Sequence, residues 1–471
     1  MVIGLEVHVE LATESKFLCS CSTKFGSQAN TQCCPICMGR LGTLPSLNKK
    51  VVEYAIAAGL ALNCKINQEC HFDRKNYFYP DLPKAYQVSQ LYAPLCYDGS
   101  LEIDLKNGKK TIGIHEIHME EDAGKLIHDL EEDITLVDYN RSGVPLIEIV
   151  TEADFRSGEE VTAFLEKLRL ILQYLGVSDC KMQEGSLRVD VNLSLRKFGD
   201  KELGTRTEMK NLNSFKAIGR AVEWEKNRQI QVLESGEKVI QETRRWDDIN
   251  EVGTSMRTKE ETQDYRYFPD PDLPPLKISR DWINEIHSRQ PELREEKMNR
   301  YIDEYDLPSY DAEIITSSKY LADIFEKTIE ICQNPKEVSN WIIVETMRLV
   351  RQEAMDVDEI NYSPENLARL IMILDKGKIN RTVAKEVFEK IFIEDVNPEE
   401  YIEANGLYIV SDDKQLREII ERVLEENPKP VEQYRKGEKK VMGFLIGQSM
   451  KALKGKGDPA KISEILKEIL D

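Results

Sequence analysis

Carboxylates at alternating positions of extended segments are the groups in this chain best placed to do chemistry. In residues 1–11, MVIGLEVHVEL, alternation puts Ile3, Leu5, Val7 and Val9 on one side of a strand and Glu6, His8 and Glu10 on the other. Residues 112–124, IGIHEIHMEEDAG, run through an apolar strand pattern into Glu120, Glu121 and Asp122, shortly before Gly124. Three successive carboxylates repel one another unless water or a cation neutralises them. A strand end can aim them into a cleft, and Mg²⁺ takes oxygen ligands, only a few of them from protein. Solvated surface acids are the ordinary alternative, and a single His such as His8 more often serves structure than metal.

Phosphate binding has no familiar loop to rest on. The sequence contains no G-x-x-x-x-G-K-[ST], no G-x-G-x-x-G and no protein-kinase set. Cationic candidates are Lys75 in residues 72–87, Arg188 in 185–192 and Lys210 in 208–215, each of which could equally be an ordinary ion-pair partner. No nucleophile elbow occurs; Ser317, Ser318 and Lys319 read as a helix start. If the protein takes part in glutamine hydrolysis, another polypeptide must perform that step.

The cysteines carry a sharper pattern. Cys19-x-Cys21 and Cys34-x-x-Cys37 form two short-spaced pairs, with Cys33 as an extra candidate and Pro35 shaping the second turn. Such pairs suit four thiolates around a structural Zn²⁺; free thiols or an iron–sulfur cluster are the other readings. Cys64, Cys70, Cys96, Cys180 and Cys332 show no pairing pattern, and disulfides are not expected in a reducing cytosol.

These groups need a scaffold, and two kinds of segment provide it. Alternation recurs in residues 186–196, where Arg188, Asp190 and Asn192 share the polar face. It recurs again in 204–211, which projects Arg206, Glu208 and Lys210 together. Helical spacing runs through residues 157–176, with Gly176 as the stop. Beyond residue 290 the pattern is helical throughout. Helix starts fall at Ser363–Pro364 and Asn397–Pro398, stops at Gly377 and Gly406, and a linker at 406–411. The expected fold is α+β: a mostly antiparallel or mixed sheet domain over 1–290, a helical domain over 291–406 and a small helical tail over 407–471.

The 471 residues are 41% apolar and 31% charged, as in a globular protein of about three domains. No apolar run is long enough to span a membrane, and no signal or transit sequence opens the chain, so a cytoplasmic protein is expected. The net charge of −20 speaks to solubility rather than to a nucleic-acid partner. Residues 429–461 depart from it, with Lys/Arg at 429, 435, 436, 439, 440, 451, 454, 456 and 461 against Glu432, Glu438 and Asp458, a local +6. A solvated helical face is the ordinary explanation.

Seven blocks, VIGLEVHVEL (2–11), FDRKNYFYPDLPKAYQ (72–87), HMEEDAGK (118–125), DYNRSGVPLIEIVTEADFRS (138–157), MQEGSLRVDVNLSLR (182–196), EMKNLNSF (208–215) and DYRYFPDPDLPPL (264–276), resemble the B subunits of Asp/Glu-tRNA(Asn/Gln) amidotransferases, the GatB family. The segment VMGFLIGQSMKALKGKGDP (441–459) resembles that family's YqeY-like tail. The chain has no room for the large insertion of the archaeal E subunit. The resemblance implies a "cradle" with an ATP- and Mg²⁺-dependent kinase site, which phosphorylates the side chain of Glu or Asp esterified to tRNA. Ammonia from the amidase, or A, subunit would arrive through a tunnel and displace phosphate. A small C subunit would brace the resulting heterotrimer. Carried over by motif, Glu6, His8 and Glu121 are the expected Mg²⁺ ligands, followed by Glu120 and Glu208. Asp190 would bind a second metal or guide ammonia. Lys75, Arg188 and Lys210 would contact ATP phosphates or the tunnel mouth, supported by Asn211. Glu120 and Glu121 can share a site only through a bulge or strand end. His8→Ala and Glu121→Ala are expected to abolish amidation while tRNA binding persists. The basic tail would grip tRNA(Gln) or tRNA(Asn). The competing readings are a non-catalytic tRNA-binding scaffold and an autonomous metal-dependent ATPase.

Overall fold

Strands with alternating side chains have one face to bury, and nine of them pair into a single mixed sheet in the first part of the chain. The computed structural model describes residues 1–129, 133–258, 264–409, 413–453 and 457–470. In spatial order the strands are Val252–Thr258, Glu242–Asp247, Thr207–Lys210, Leu187–Ser194, Val2–Glu10, Pro145–Thr151, Gly108–Glu121, Cys96–Leu105 and Lys65–Ile66. Neighbours are antiparallel except Thr207–Lys210 and Glu242–Asp247, which run parallel.

One face of the sheet is apolar. Ile3, Leu5, Val7 and Val9 pack with Ile117, Ile147, Ile149, Val189 and Val191 in a shared core. Helices Lys49–Ala61, Gly158–Leu175 and Phe215–Glu234 lie against this face. The middle helix forms where its spacing predicts. Ser157 Oγ accepts from Glu160 N at 3.2 Å, and Gly176 ends it in the left-handed region at φ 69°. Its Phe164, Leu168 and Leu172 are fully buried, each stabilising by about 1.5–3 kcal/mol. With the apolar side committed to helices, the polar side chains of the central strands gather on the other face.

A three-stranded sheet, Phe268–Pro269, Asp73–Asn76 and Tyr86–Ser89, joins the 72–87 and 264–276 blocks, with Phe268 opposite Arg74. Arg74 fixes the junction through Asp270 (3.0 Å) and Asp272 (2.8 Å).

The chain divides into two units, Met1–Leu293 and Arg294–Asp471; the breaks expected from sequence were at 290 and 406. The second unit is helical throughout its described residues. Asn397 caps helix Pro398–Ala404 by accepting from Glu399 N and Glu400 N, at 3.0 and 3.4 Å. Ser318 caps Lys319–Cys332, as its reading as a helix start requires. Ser363 stands before Pro364 as expected, but its hydroxyl donates to Asp395 instead of capping. Gly377 and Gly406 both adopt positive φ where helices stop. Two apolar clusters form, one around Phe325, Trp341 and Phe388, the other around Leu416, Leu445, Ile462 and Leu466. Part of the expected linker (410–411) lies outside the described residues, as do Lys454 and Lys456 of the basic stretch. Lys429, Arg435, Lys439, Lys440 and Lys451 are exposed, whereas Lys436 pairs with Glu432 and Lys461 with Asp413. Among the described residues, no helix is long and apolar enough to cross a membrane.

Candidate active site

The registry of the four central strands decides which polar side chains meet. His8 lies opposite Glu148 on one side and Arg188 on the other, and Glu148 lies opposite His118. Glu6 lies opposite Asp190, and Asn192 opposite Glu208. Residues separated by two along each strand share a face, so these rows form one polar surface.

The first cluster is His8, Glu120 and Glu148, with ligand atoms all within 4.8 Å of one another. His8 Nε2 is 3.4 Å from Glu148 Oε2 and 3.5 Å from Glu120 Oε1. His118 Nε2 approaches the same Glu148 oxygen at 3.0 Å. Burial works against a charged His8, but the hydrogen bond and charge of Glu148, with the charge of Glu120, outweigh it and raise its pKa. Burial likewise opposes a charged His118, yet Glu116 and Glu148 push its pKa up to about 10. Glu148 shows the converse: burial favours its neutral form, and the two histidines nevertheless hold it well below the usual carboxylate range. Burial raises Glu120, with the Glu148 charge adding to the effect and His8 opposing it. His8, Glu120 and Glu148 lie close enough together to ligate one ion.

Glu6, Asp190 and Glu208 make a second cluster of the same dimension. Lys210 ion-pairs with Asp190 and lies 3.3 Å from Glu208 Oε1. Asn192 Nδ2 donates to Glu6 Oε1 at 3.0 Å, and Thr243 Oγ1 donates to Glu208 Oε2 at 2.6 Å. Burial raises Glu6, helped by the charges of Glu148, Asp190 and Glu208, so the two clusters feel each other.

Cations border both. Lys75 forms no salt bridge among the described residues; its Nζ sits 5.0 Å from the Tyr265 ring and its charge acts on Glu120. Arg188 Nη2 donates to Asp122 Oδ2 at 2.9 Å, and Arg141 Nε joins the same oxygen at 3.2 Å. Burial, reinforced by Asp122, lifts the nearby Glu10 to about 7. Asn211 has a different task. It turns the chain at φ 65° after strand Thr207–Lys210 and gives its amide to Trp246 O at 2.9 Å.

Glu121 does not join Glu6 and His8. It ion-pairs with Lys84 on the opposite face, accepts from Val88 N at 3.0 Å, and its backbone oxygen accepts from Gln87 Nε2 at 2.8 Å. The register irregularity of this strand falls beside Val150/Thr151, not between Glu120 and Glu121. Plain alternation therefore separates the two acids. The structure thus brings His8 together with Glu120 and Glu148, and Glu6 with Asp190 and Glu208, and leaves Glu121 apart from both.

The cysteine pairs do converge. The Sγ atoms of Cys19, Cys21, Cys34 and Cys37 lie within 4.8 Å of one another, compatible with the edges of about 3.8 Å implied by four Zn–S bonds of ~2.3 Å. A hydrogen bond from Cys19 holds the Cys37 thiol down to about 4, while burial keeps Cys21 up at about 11. A thiolate that makes its neighbours harder to ionise leaves a charge for a metal to balance. This cluster can bind a metal.

Similarity to known proteins decides the family. Residues 1–284 match the GatB/GatE catalytic domain and residues 323–470 the GatB domain. The chain is 66% identical over its whole length to a protein of Lachnoclostridium phytofermentans, covering 98% of that protein, which is named as the B subunit of aspartyl/glutamyl-tRNA(Asn/Gln) amidotransferase. Relatives of the same name in Agathobacter rectalis and Caldicellulosiruptor bescii are 61% and 57% identical, each over all of this chain and 99% of the relative. The chain belongs to the GatB family of amidotransferase B subunits. In this member of the GatB family, two groups at the site escaped the reading of the sequence. Glu148 is a charged residue between the buried Ile147 and Ile149 of an apolar strand. His118 stands two positions before Glu120, on the same face. Alternation in PLIEIVT and IGIHEIHMEE was the available signal for both.

Proposed function

We propose that this chain performs the ATP- and Mg²⁺-dependent amidation of Glu-tRNA(Gln) and Asp-tRNA(Asn). The supporting observation is the convergence of His8, Glu120, Glu148, Glu6, Asp190 and Glu208 from five strands onto one polar surface bordered by Lys75, Arg188 and Lys210. The side-chain carboxylate of the esterified amino acid attacks the γ-phosphorus of ATP. The bond to the β,γ-bridging oxygen breaks, ADP leaves, and an acyl phosphate forms. Ammonia then adds to the acyl carbon, phosphate departs, and a proton is lost to give the amide. Two anions must meet in the first step. Lys75, Arg188 and Lys210 orient the phosphates and offset their charge. His8, Glu120 and Glu148 would hold one Mg²⁺ and Glu6, Asp190 and Glu208 a second, which would supply charge neutralisation to the transferring phosphoryl group.

Ammonia comes from the amidase, the A subunit, and with the C subunit the chain works as a heterotrimer in the cytoplasm. Reconstitution with both of these partners tests the reading. Glu-tRNA(Gln) and Asp-tRNA(Asn) should each be amidated with ATP and either glutamine or free ammonia. Amidation without ATP, or a chain acting alone at full rate, would contradict it. A scaffold role predicts that acyl-phosphate formation survives loss of Glu148.

The four cysteines hold structural Zn²⁺, which pins the segment between Cys19 and Cys37. About one zinc per chain is expected by atomic absorption. Cys34→Ser should lose it and speed amide hydrogen exchange locally by at least about tenfold, leaving the large sheet protected. Zinc-free chain with unchanged exchange would count against this role.

Residues 407–471 form a tail domain, after a cradle over 1–290 and a helical domain over 291–406, and their exposed cations contact tRNA. Deleting them should weaken tRNA binding by about tenfold or more and flatten its salt dependence. Glutamine hydrolysis by the amidase without tRNA should persist. Undiminished tRNA affinity would exclude the tail as a binding surface.

A further inference from the structure

One buried side chain at the site is not needed as a ligand in either cluster. His118 lies on strand Gly108–Glu121 directly across from Glu148, and Glu148 lies across from His8. The three make a single cross-strand row. His118 Nε2 is 3.0 Å from Glu148 Oε2, and its Nδ1 is 3.5 Å from Glu116 Oε1. Its side chain is 10% exposed and that of Glu148 15%. His118 itself falls outside the trio whose ligand atoms converge.

A carboxylate at the end of a flexible side chain binds a metal well only when its plane is fixed beforehand, and a partner behind the ligand does this. We infer that His118 is a positioning residue: from the neighbouring strand it holds Oε2 of Glu148, with Glu116 beside its other ring nitrogen, and so presents Glu148 to the divalent cation that His8 and Glu120 would share. The inference rests on the metal site proposed above. A hydrogen-bond donor at the reach of Nε2 is what the geometry requires. A hydrophobic replacement would leave Glu148 buried with one partner fewer, whereas a polar replacement of suitable length keeps the grip.

Two variants of similar polarity separate orientation from folding. In His118→Gln the amide nitrogen can occupy the place of ring Nε2; in His118→Asn it is one methylene too short. The full-length chain is titrated with Mn²⁺, free ion being read by electron paramagnetic resonance, with thermal unfolding recorded alongside. His118→Asn should weaken Mn²⁺ binding by about 10–100-fold, and His118→Gln by no more than about threefold. In the reconstituted complex, His118→Asn should raise the Mg²⁺ concentration needed for half-maximal amidation and leave KM for aminoacyl-tRNA unchanged. Equal Mn²⁺ affinities for the two variants, whether both strong or both weak, would overturn the positioning role. A failure of the unsubstituted chain to bind Mn²⁺ would overturn the proposed metal site itself, a result that the variants alone cannot produce.

Discussion

Replacing Glu148 by alanine should reduce ATP-dependent amidation by about 10³-fold or more while the protein stays folded and tRNA still binds. The residue lies in a strand whose packing is carried by Ile147 and Ile149 on the other face, so the apolar core survives, although His8 and His118 each lose a buried partner and stability falls. Its carboxylate sits among His8, His118 and Glu120. At the proposed metal site only His8 and Glu120 would then remain as ligands, and the charge developing on the phosphoryl group would lose a counter-ion. His8→Ala should have the same effect. The loss should fall on kcat rather than on KM for aminoacyl-tRNA, because the missing interaction is made in the transition state. Single-turnover formation of ADP from labelled ATP, in the assembled heterotrimer, measures the step directly. A Glu148→Ala complex that releases ADP at the normal rate would remove this cluster from the chemistry.

Glu121→Ala should fail for another reason. The Glu121 and Lys84 side chains are 3% and 7% exposed and form an ion pair that ties strand Tyr86–Ser89 to the end of Gly108–Glu121. Removing one partner leaves a buried charge uncompensated, which costs about 3–5 kcal/mol, whereas replacing both by apolar groups of similar size is close to neutral. The single variant should therefore show a clearly lower urea midpoint, and Lys84→Met with Glu121→Leu should recover most of it. Mn²⁺ affinity should be little changed in the double variant. A single variant as stable as the unsubstituted chain would refute the structural role. Loss of Mn²⁺ binding in the stable double variant would return Glu121 to the metal site.

The contrast between these neighbouring acids shows how far the sequence could be read. The period of two in MVIGLEVHVEL was legible because each apolar residue has to leave water, and Glu6 and His8 were thereby sent to the same face. The helix from Gly158 to Leu175 was legible for the same reason, with Ser157 and Gly176 marking its ends. The four cysteines announced their cluster by spacing, since two short-range pairs need only one closure to bring all the sulfurs together. Glu121 was harder to place. Its motif drew it toward the site, while its strand carried it to the opposite face.

By itself, then, the sequence determined which residues are buried, which faces are polar, where helices begin and stop, and to which family the chain belongs. Burial and capping act over a few residues, so their signatures are local. Only the tertiary structure decided that His8 stands opposite Glu148, that Glu6 parts from His8 to join Asp190 and Glu208, and that His118 lies across from Glu148. Those partnerships depend on strand order and register, which pair residues from 30 to 184 positions apart, and a shift of one residue would turn every one of these side chains into the core.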